Sequence, residues 1–116
     1  MKLSPQVVFR HIEPSGAVSA NIDEHVAKLE KLYDRIMACQ VVIEEGQRRH
    51  QQGNLFCVRV SLKVPDEELV ASRTPDKHHS HEDVYVAIRD AFESIRRQLE
   101  EYVQRRRGQV KTHQAV

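Results

Sequence analysis

The segment "LFCVRVSLKV", residues 55–64, decides the fold of this chain because its side chains alternate strictly in polarity. Its even positions are all apolar: Phe56, Val58, Val60, Leu62 and Val64. Successive side chains of a β-strand point to opposite faces of the sheet. We therefore predict a strand with one face in a core, whereas the other face, which carries Arg59 and Lys63, is open to water.

The sequence on either side of this strand predicts three more strands and two helices. The strands are predicted in "QVVFRHI" (6–12), "CQVVIEE" (39–45) and "ELVASR" (68–73), from their β-branched residues and flanking turn signals. Apolar residues spaced by three and four predict two amphipathic helices. The first contains Val18, Ile22, Val26, Leu29, Tyr33 and Ile36, with Ser15 or Ser19 as its N-cap. The second contains Tyr85, Ile88, Phe92, Ile95, Leu99 and Tyr102.

The order of these elements predicts an α+β fold, β-α-β-β-β-α, with a four-stranded mixed sheet and two helices packed on one face. A helix between two strands allows a right-handed parallel crossover, and short turns make the remaining pairs antiparallel. Each helix has one apolar stripe to bury, so both should cover the apolar face of the sheet. The length predicts one domain over residues 1–108 and a flexible tail over 109–116.

Composition narrows the functional classes. With 18 Lys and Arg against 17 Asp and Glu, the net charge is only +1, so electrostatic binding requires local charge patterning. We see no secretory segment and no apolar run near the roughly 18 residues that cross a bilayer, and we expect a cytoplasmic protein that binds no membrane. Cys39 and Cys57 fit no metal or redox spacing and are expected to be reduced thiols. No motif predicts an enzyme, a small-molecule substrate or a cofactor.

Both predicted helices carry basic residues beside their apolar stripes. Arg89 and Arg96 lie on one flank of the second helix, and Lys28, Lys31 and Arg35 recur at i, i+3 and i+7 on the first. Such rows are typical of surfaces that neutralise the phosphates of a nucleic acid.

The same charges have a second interpretation, a solvated helix laced with intrahelical ion pairs. The members of each candidate pair lie at positions i and i+4. The pairs are Arg89 with Glu93, Glu93 with Arg97, Arg96 with Glu100, and Glu101 with Arg105. Oppositely charged residues at this spacing attract each other on a helix surface. Periodicity alone leaves both interpretations open.

Two polar segments carry possible ligands. In "KHHSHED", His78, His79 and His81 with Glu82 or Asp83 are chemically able to bind a metal, but their spacing matches no established site. We predict a flexible polar loop without a metal, in which Asp83 can cap the following helix. "QRRH", residues 47–50, is either a phosphate contact or a solvated loop.

Two longer segments resemble a known family. "HVAKLEKLYDRI" (25–36) and "DVYVAIRDAFESIRRQL" (83–99) resemble the ribosome hibernation-promoting factors, a family that includes the ribosome-associated translation inhibitors and proteins once labelled sigma-54 modulation proteins. The family's first helix typically reads like "AKLEKLYDRI", and its last begins with Asp-x-Tyr-x-Ala-Ile and continues to Arg-Gln-Leu. This chain is similar to the short type, which lacks a second, dimerising domain.

The resemblance implies the fold deduced above and a function without chemistry or cofactor. It implies a factor that binds the small ribosomal subunit in the channel for messenger RNA and transfer RNA, and inhibits translation during stress or stationary phase. Carried onto this chain, the surface that binds ribosomal RNA comprises Lys28, Lys31, Arg35, Arg89, Arg96 and Arg97. The family usually has Lys where this chain has Ser94, Glu100 and Glu101.

Two alternatives of other classes remain. One is a protein-interaction module that regulates a transcription or stress factor through the open sheet face or an edge strand. The other is a metal sensor that uses His78, His79 and His81.

Overall fold

The chain folds into four strands and two helices in the predicted order. A computed structural model describes residues 3–46, 55–73 and 84–115. Its elements are β1 (Gln6–Arg10), α1 (Gly16–Leu32), β2 (Ala38–Gly46), β3 (Leu55–Val64), β4 (Glu67–Arg73) and α2 (Val84–Ala115). This order confirms the β-α-β-β-β-α prediction and the α+β class. Because α2 runs to Ala115, it includes most of residues 109–116, whose flexibility stays a prediction.

The strands form one mixed sheet in the order β1-β2-β3-β4. β1 pairs with β2 in parallel, and the other two pairings are antiparallel. Val60 lies opposite Val41 on β2 and Ala71 on β4, so the buried residues of the three strands share one face.

That face packs against both helices. Residues of one sheet face, α1 and α2 belong to a single buried core cluster, which confirms that the two helices cover the same side. Every even position of β3 from Phe56 to Val64 is buried, whereas Arg59 and Lys63 are exposed on the opposite face. The alternation of β3 therefore indicated both the strand and its orientation.

Helix α1 begins at one of its two predicted caps and ends earlier than its apolar pattern. The Ser15 side chain accepts a hydrogen bond from the N–H of Val18 at 3.3 Å, which satisfies one of the free donors of the first turn. At the other end, Tyr33 has an extended backbone, with φ of −153°, and its N–H donates to Leu29 O. The prediction that Tyr33 and Ile36 continue the helix is wrong, because both pack half-buried against the core from a turn beyond it.

The buried stripe of α2 differs from the prediction at its first turn. Tyr85, expected in the core, is 39% exposed. Val84 packs against the core in its place, and the small buried residues Ala87 and Ala91 continue the stripe. Tyr85 lies on the flank of this stripe in the first turn of α2. An apolar side chain at such a position need not be buried. The other five predicted positions, from Ile88 to Tyr102, are buried.

Side chains of α2 hold it against the edge strand β4 and the turn before it. Gln98 Nε2 donates to the backbone oxygen of Val70 at 2.8 Å. Further along the helix, Arg105 pairs with Glu67 at 3.4 Å and Arg106 pairs with Asp66 at 3.5 Å. These contacts attach α2 to the β4 edge of the sheet.

The segments 47–50 and 74–83, on which the phosphate-contact and metal-ligand predictions fall, lie outside the described residues. Among the residues that are described, no helix is both long and apolar enough to span a membrane.

Candidate nucleic-acid interface

The basic edges of the two helices meet at a cleft between α1 and α2. This interhelical cleft has a volume of about 240 Å³ and is lined by His25, Lys28, Leu29, Arg89, Phe92, Glu93 and Arg96. Three of the six predicted RNA-binding residues therefore lie around one small depression. With three cations and one carboxylate at the cleft, positive charge dominates there.

The apolar stripes of the helices determine the positions of these cations. Lys28 precedes the buried Leu29, and Arg89 and Arg96 each follow a buried isoleucine of α2. Neighbouring residues on a helix are about 100° apart, so a cation beside a buried residue lies at the edge of the packed face. Arg89 and Arg96 are seven residues apart, about two helical turns, and lie on the same edge.

Ion pairs engage both cleft arginines only weakly. Arg96 Nε lies 3.5 Å from Glu100 Oε2, which confirms that pair. Arg89 Nη2 lies 3.6 Å from Asp90 Oδ1, and not against Glu93 as the four-residue spacing suggested. The two arginine side chains are 58% and 64% exposed, and such surface pairs contribute about 0.2–1 kcal/mol each. A guanidinium has five N–H donors, so both residues keep donors for a phosphate.

The remaining predicted site residues lie outside the cleft. Arg97 is exposed and borders a second depression of about 320 Å³ with Arg96, Glu93 and Glu100. Within the described part of the chain Arg97 forms no ion pair, so the candidate pair of Glu93 with Arg97 is not formed. Lys31 is exposed in the last turn of α1.

Arg35 is not on the helical stripe where the sequence predicted it. Because α1 ends at Leu32, the i+7 relation between Lys28 and Arg35 does not hold in space. Arg35 is exposed in the turn that leads to β2. Likewise, Arg105 pairs with Glu67 of β4 and not with Glu101.

Sequence reasoning missed His25, whose ring forms part of the cleft. The imidazole stacks on the ring of Phe92, with ring centroids 4.9 Å apart and planes 13° from parallel. Burial and then the charge of Lys28 lower the pKa of His25 below its usual 6.5, while Glu24 and Glu93 act in the opposite direction. His25 lies three residues after Ile22 and four before Leu29, so its position beside the stripe was the available signal.

The open face of the sheet has a larger hollow with a different charge pattern. Its volume is about 550 Å³, and its charged lining comprises Arg10, Arg59, Arg73, Glu44 and Glu68. Two carboxylates there offset two of the three guanidiniums, whereas one carboxylate accompanies three cations in the interhelical cleft. The smaller interhelical cleft is therefore the better candidate for a polyanion.

The cysteines and carboxylates offer no comparable site. Burial raises the pKa of Cys39 to about 12, which disfavours a reactive or metal-binding thiolate. In residues 3–46, 55–73 and 84–115, no three His, Cys, Asp or Glu side chains are grouped so that they could hold a metal ion.

Solved structures of two other proteins share this fold. One is the N-terminal domain of Protein Y from Thermus thermophilus, with a TM-score of 0.66 and 16% sequence identity over 88% of this chain and 99% of that one. The other is a ribosomal subunit interface protein from Coxiella burnetii, with a TM-score of 0.67 and 15% identity over 85% of this chain and 96% of that one. No curated protein sequence matches.

A family comparison covers nearly the whole chain. Residues 6–107 match the family described as sigma 54 modulation protein / S30EA ribosomal protein. The match includes every strand, all of α1 and the part of α2 that packs on the sheet. This chain belongs to the sigma 54 modulation protein / S30EA ribosomal protein family.

Proposed function

We propose that this protein binds the small ribosomal subunit in the channel for messenger RNA and transfer RNA, and inhibits translation there during stress or stationary phase. It acts by occupying the channel and needs no cofactor. Family membership supports a ribosomal partner, and one of the similar structures is itself described as a ribosomal subunit interface protein.

The observation that carries the proposal is the convergence of Lys28, Arg89 and Arg96 on one cleft from two helices. Cations that converge can contact neighbouring phosphates of one RNA segment, and each contact releases condensed counterions. Lys31 and Arg97 extend this surface along the two helices, and Arg35 adds a charge beyond the end of α1. Together these six residues are the proposed contacts with ribosomal RNA.

The decisive experiment reverses charge at the cleft. In the double variant Arg89→Glu/Arg96→Glu, the affinity for purified small subunits should fall at least tenfold in co-sedimentation. The slope of log affinity against log salt should become shallower by about one to two units, because two phosphate contacts are lost. The melting temperature should change little, because both side chains are exposed and their ion pairs are weak.

A matched control is available on the open sheet face. Arg59→Glu/Lys63→Glu changes the net charge by the same amount at two exposed positions of β3, and should retain most of the binding. If this control lost as much affinity as the helix variant, the assignment of the surface would be wrong. If the unaltered protein stayed unbound at low salt, the proposal itself would fail.

The competing function, a protein-interaction module, would use the open sheet face or an edge strand. The sheet ends at β1 and β4, and α2 contacts β4 through Gln98 and Arg105. A pull-down from stationary-phase lysate with and without ribonuclease separates the two functions. Loss of the main partner after ribonuclease treatment supports RNA binding, whereas its retention supports the protein module.

A further inference from the structure

The interhelical cleft is lined by aromatic rings as well as by cations. Phe92 is buried and supports one face of the His25 imidazole at 4.9 Å. His25 itself is only half-buried, and its ring borders the cleft beside Leu29. Phe92 therefore holds a flat ring in the lining of the cleft, together with the three cations.

The surroundings of His25 favour the neutral form of its ring. Burial and the neighbouring Lys28 lower the pKa of His25, against the opposing influence of Glu24 and Glu93. A site for a phosphate alone needs only cations. Here a neutral ring, an aliphatic side chain and three cations border the same space, a combination that suits a ligand with one flat part and one anionic part.

The size of the cleft limits what the flat part can be. Its volume of about 240 Å³ is below the roughly 300–1,000 Å³ typical of pockets for drug-sized ligands. A single nucleobase is a fragment of suitable size. In duplex RNA the bases are stacked inside the helix, whereas unpaired bases are free to stack on aromatic or histidine side chains.

We propose that the interhelical cleft binds one unpaired nucleotide of an RNA strand, with its base on the imidazole of His25 and its phosphate at Lys28, Arg89 and Arg96. This inference rests on the proposed function and specifies which form of RNA the surface selects. Glu93, also at the cleft, repels phosphate and can accept a hydrogen bond from an amino group of the base. A double-stranded segment contacts only the cations of the cleft.

Two small probes separate a nucleotide site from a phosphate site. The protein, isotopically labelled for NMR, is titrated with adenosine 5′-monophosphate and, separately, with ribose 5-phosphate, which has no base. We expect the nucleotide to bind at least about fivefold more tightly, since stacking adds to the phosphate contact, and to shift the ring proton resonances of His25 upfield. Equal affinities without a ring-current shift overturn the inference.

Longer RNA tests the preference for unpaired bases. The protein should bind a single-stranded hexamer more tightly than a hairpin stem with the same number of phosphates. His25→Ala should remove that preference, whereas His25→Phe, which keeps a flat ring on Phe92, should retain it. Equal binding of both RNAs by the unaltered protein contradicts the inference without any reference to the variants.

The outcomes for this inference and for the proposed function are distinguishable. If Arg89→Glu/Arg96→Glu abolishes small-subunit binding while the two small probes bind equally, the ribosomal function stands and the nucleotide site fails. If nucleotide and hexamer show the expected preferences but the unaltered protein does not bind small subunits, the site stands and its ribosomal role fails.

Discussion

The Oδ2 atom of Asp90 accepts a hydrogen bond from Nε of Arg73 at 3.3 Å and so connects α2 to the last residue of β4. The other oxygen of this carboxylate lies 3.6 Å from Arg89, which belongs to the interhelical cleft. Arg73 is only 19% exposed and Arg89 is 58% exposed. The less exposed Arg73–Asp90 pair therefore contributes to stability. The exposed Arg89–Asp90 pair mainly lowers the positive charge of the cleft.

Replacing Asp90 with Ala should separate these effects. The free energy of unfolding should fall by about 1–2 kcal/mol, because the largely buried guanidinium of Arg73 loses a charged hydrogen-bond partner. The affinity for small subunits should stay the same or rise, because a negative charge beside Arg89 is removed. Urea denaturation and co-sedimentation measure the two quantities. A joint loss of stability and affinity would show that Asp90 positions Arg89 for binding.

Tyr102 joins α2 to the turn between β3 and β4. Its hydroxyl donates to the backbone oxygen of Pro65 at 2.7 Å, and its ring packs edge-on against Tyr33. Burial raises the pKa of Tyr102 to about 12. The unfolded chain loses this proton near pH 10, so the folded state holds more protons between the two values and stability falls as the pH rises from about 10 to 12.

Tyr102→Phe should change stability in two ways. Below pH 10 it should cost about 1 kcal/mol, since the hydrogen bond to Pro65 is lost and its carbonyl is left with one partner fewer. Above pH 10 the stability of the variant should fall less steeply with pH than that of the unaltered protein, because the contribution of Tyr102 is absent. Urea titrations at pH 8 and pH 11 compare the proteins. Tyr85→Phe, at an exposed position, is the control and should cost less at pH 8.

The sequence predicted most of the fold because the sheet has one buried face. Strict alternation in β3 located that strand from Leu55 to Val64, as the structure has it. The errors occur where apolarity and regular structure diverge. Tyr33 packs on the core without being helical, and Tyr85 is helical without being buried. Hydrophobic spacing identified most of the buried side chains, but it did not locate the end of α1 at Leu32 or the exposure of Tyr85 in the first turn of α2.

The candidate site was predicted only in part for a related reason. Each basic stripe was visible along its own helix, but the distance between Lys28 and Arg89 depends on how α1 and α2 pack. The prediction for Arg35 failed because it assumed that α1 continues beyond Leu32. The only signal for His25 was its position beside the apolar stripe of α1, and a histidine at such a position can be either packed or exposed. Only the stack on Phe92 distinguishes these cases.

His25 should give stability a specific dependence on pH. Its pKa is lowered in the folded state, first by burial and then by Lys28. Arg89 and Arg96 also border the cleft. Below about pH 6.5 the unfolded chain takes up a proton that the folded chain resists, so stability should fall as the pH drops through this value.

Comparison with His25→Gln isolates this contribution. Between pH 7.5 and 5.5 the unaltered protein should lose more stability than the variant, as measured by the urea midpoint. Proton NMR of the His25 ring provides the direct check and should show titration below pH 6.5. Titration above that value, or identical pH profiles for both proteins, would contradict the prediction.

Glu100 offers a test in which binding should improve. Its carboxylate lies 3.5 Å from Arg96, and both border the depression that includes Arg97. The Glu100 carboxylate competes with a phosphate for the guanidinium of Arg96. Glu100→Gln removes this competing charge, and Glu100→Lys also adds a cation at the same position. Affinity for small subunits should therefore rise in the order Glu, Gln, Lys. The salt dependence of the Lys variant should steepen by about one unit if the new cation meets a phosphate.

The cost in stability should be small, because an exposed pair at this helical spacing contributes about 0.3–0.5 kcal/mol. Glu68→Lys on the open sheet face makes the same change in net charge at an exposed position. It should raise affinity far less than Glu100→Lys, since it lies on the opposite side of the sheet from the helices. Equal gains from the two variants would mean that overall charge, and not the basic surface of α1 and α2, governs binding.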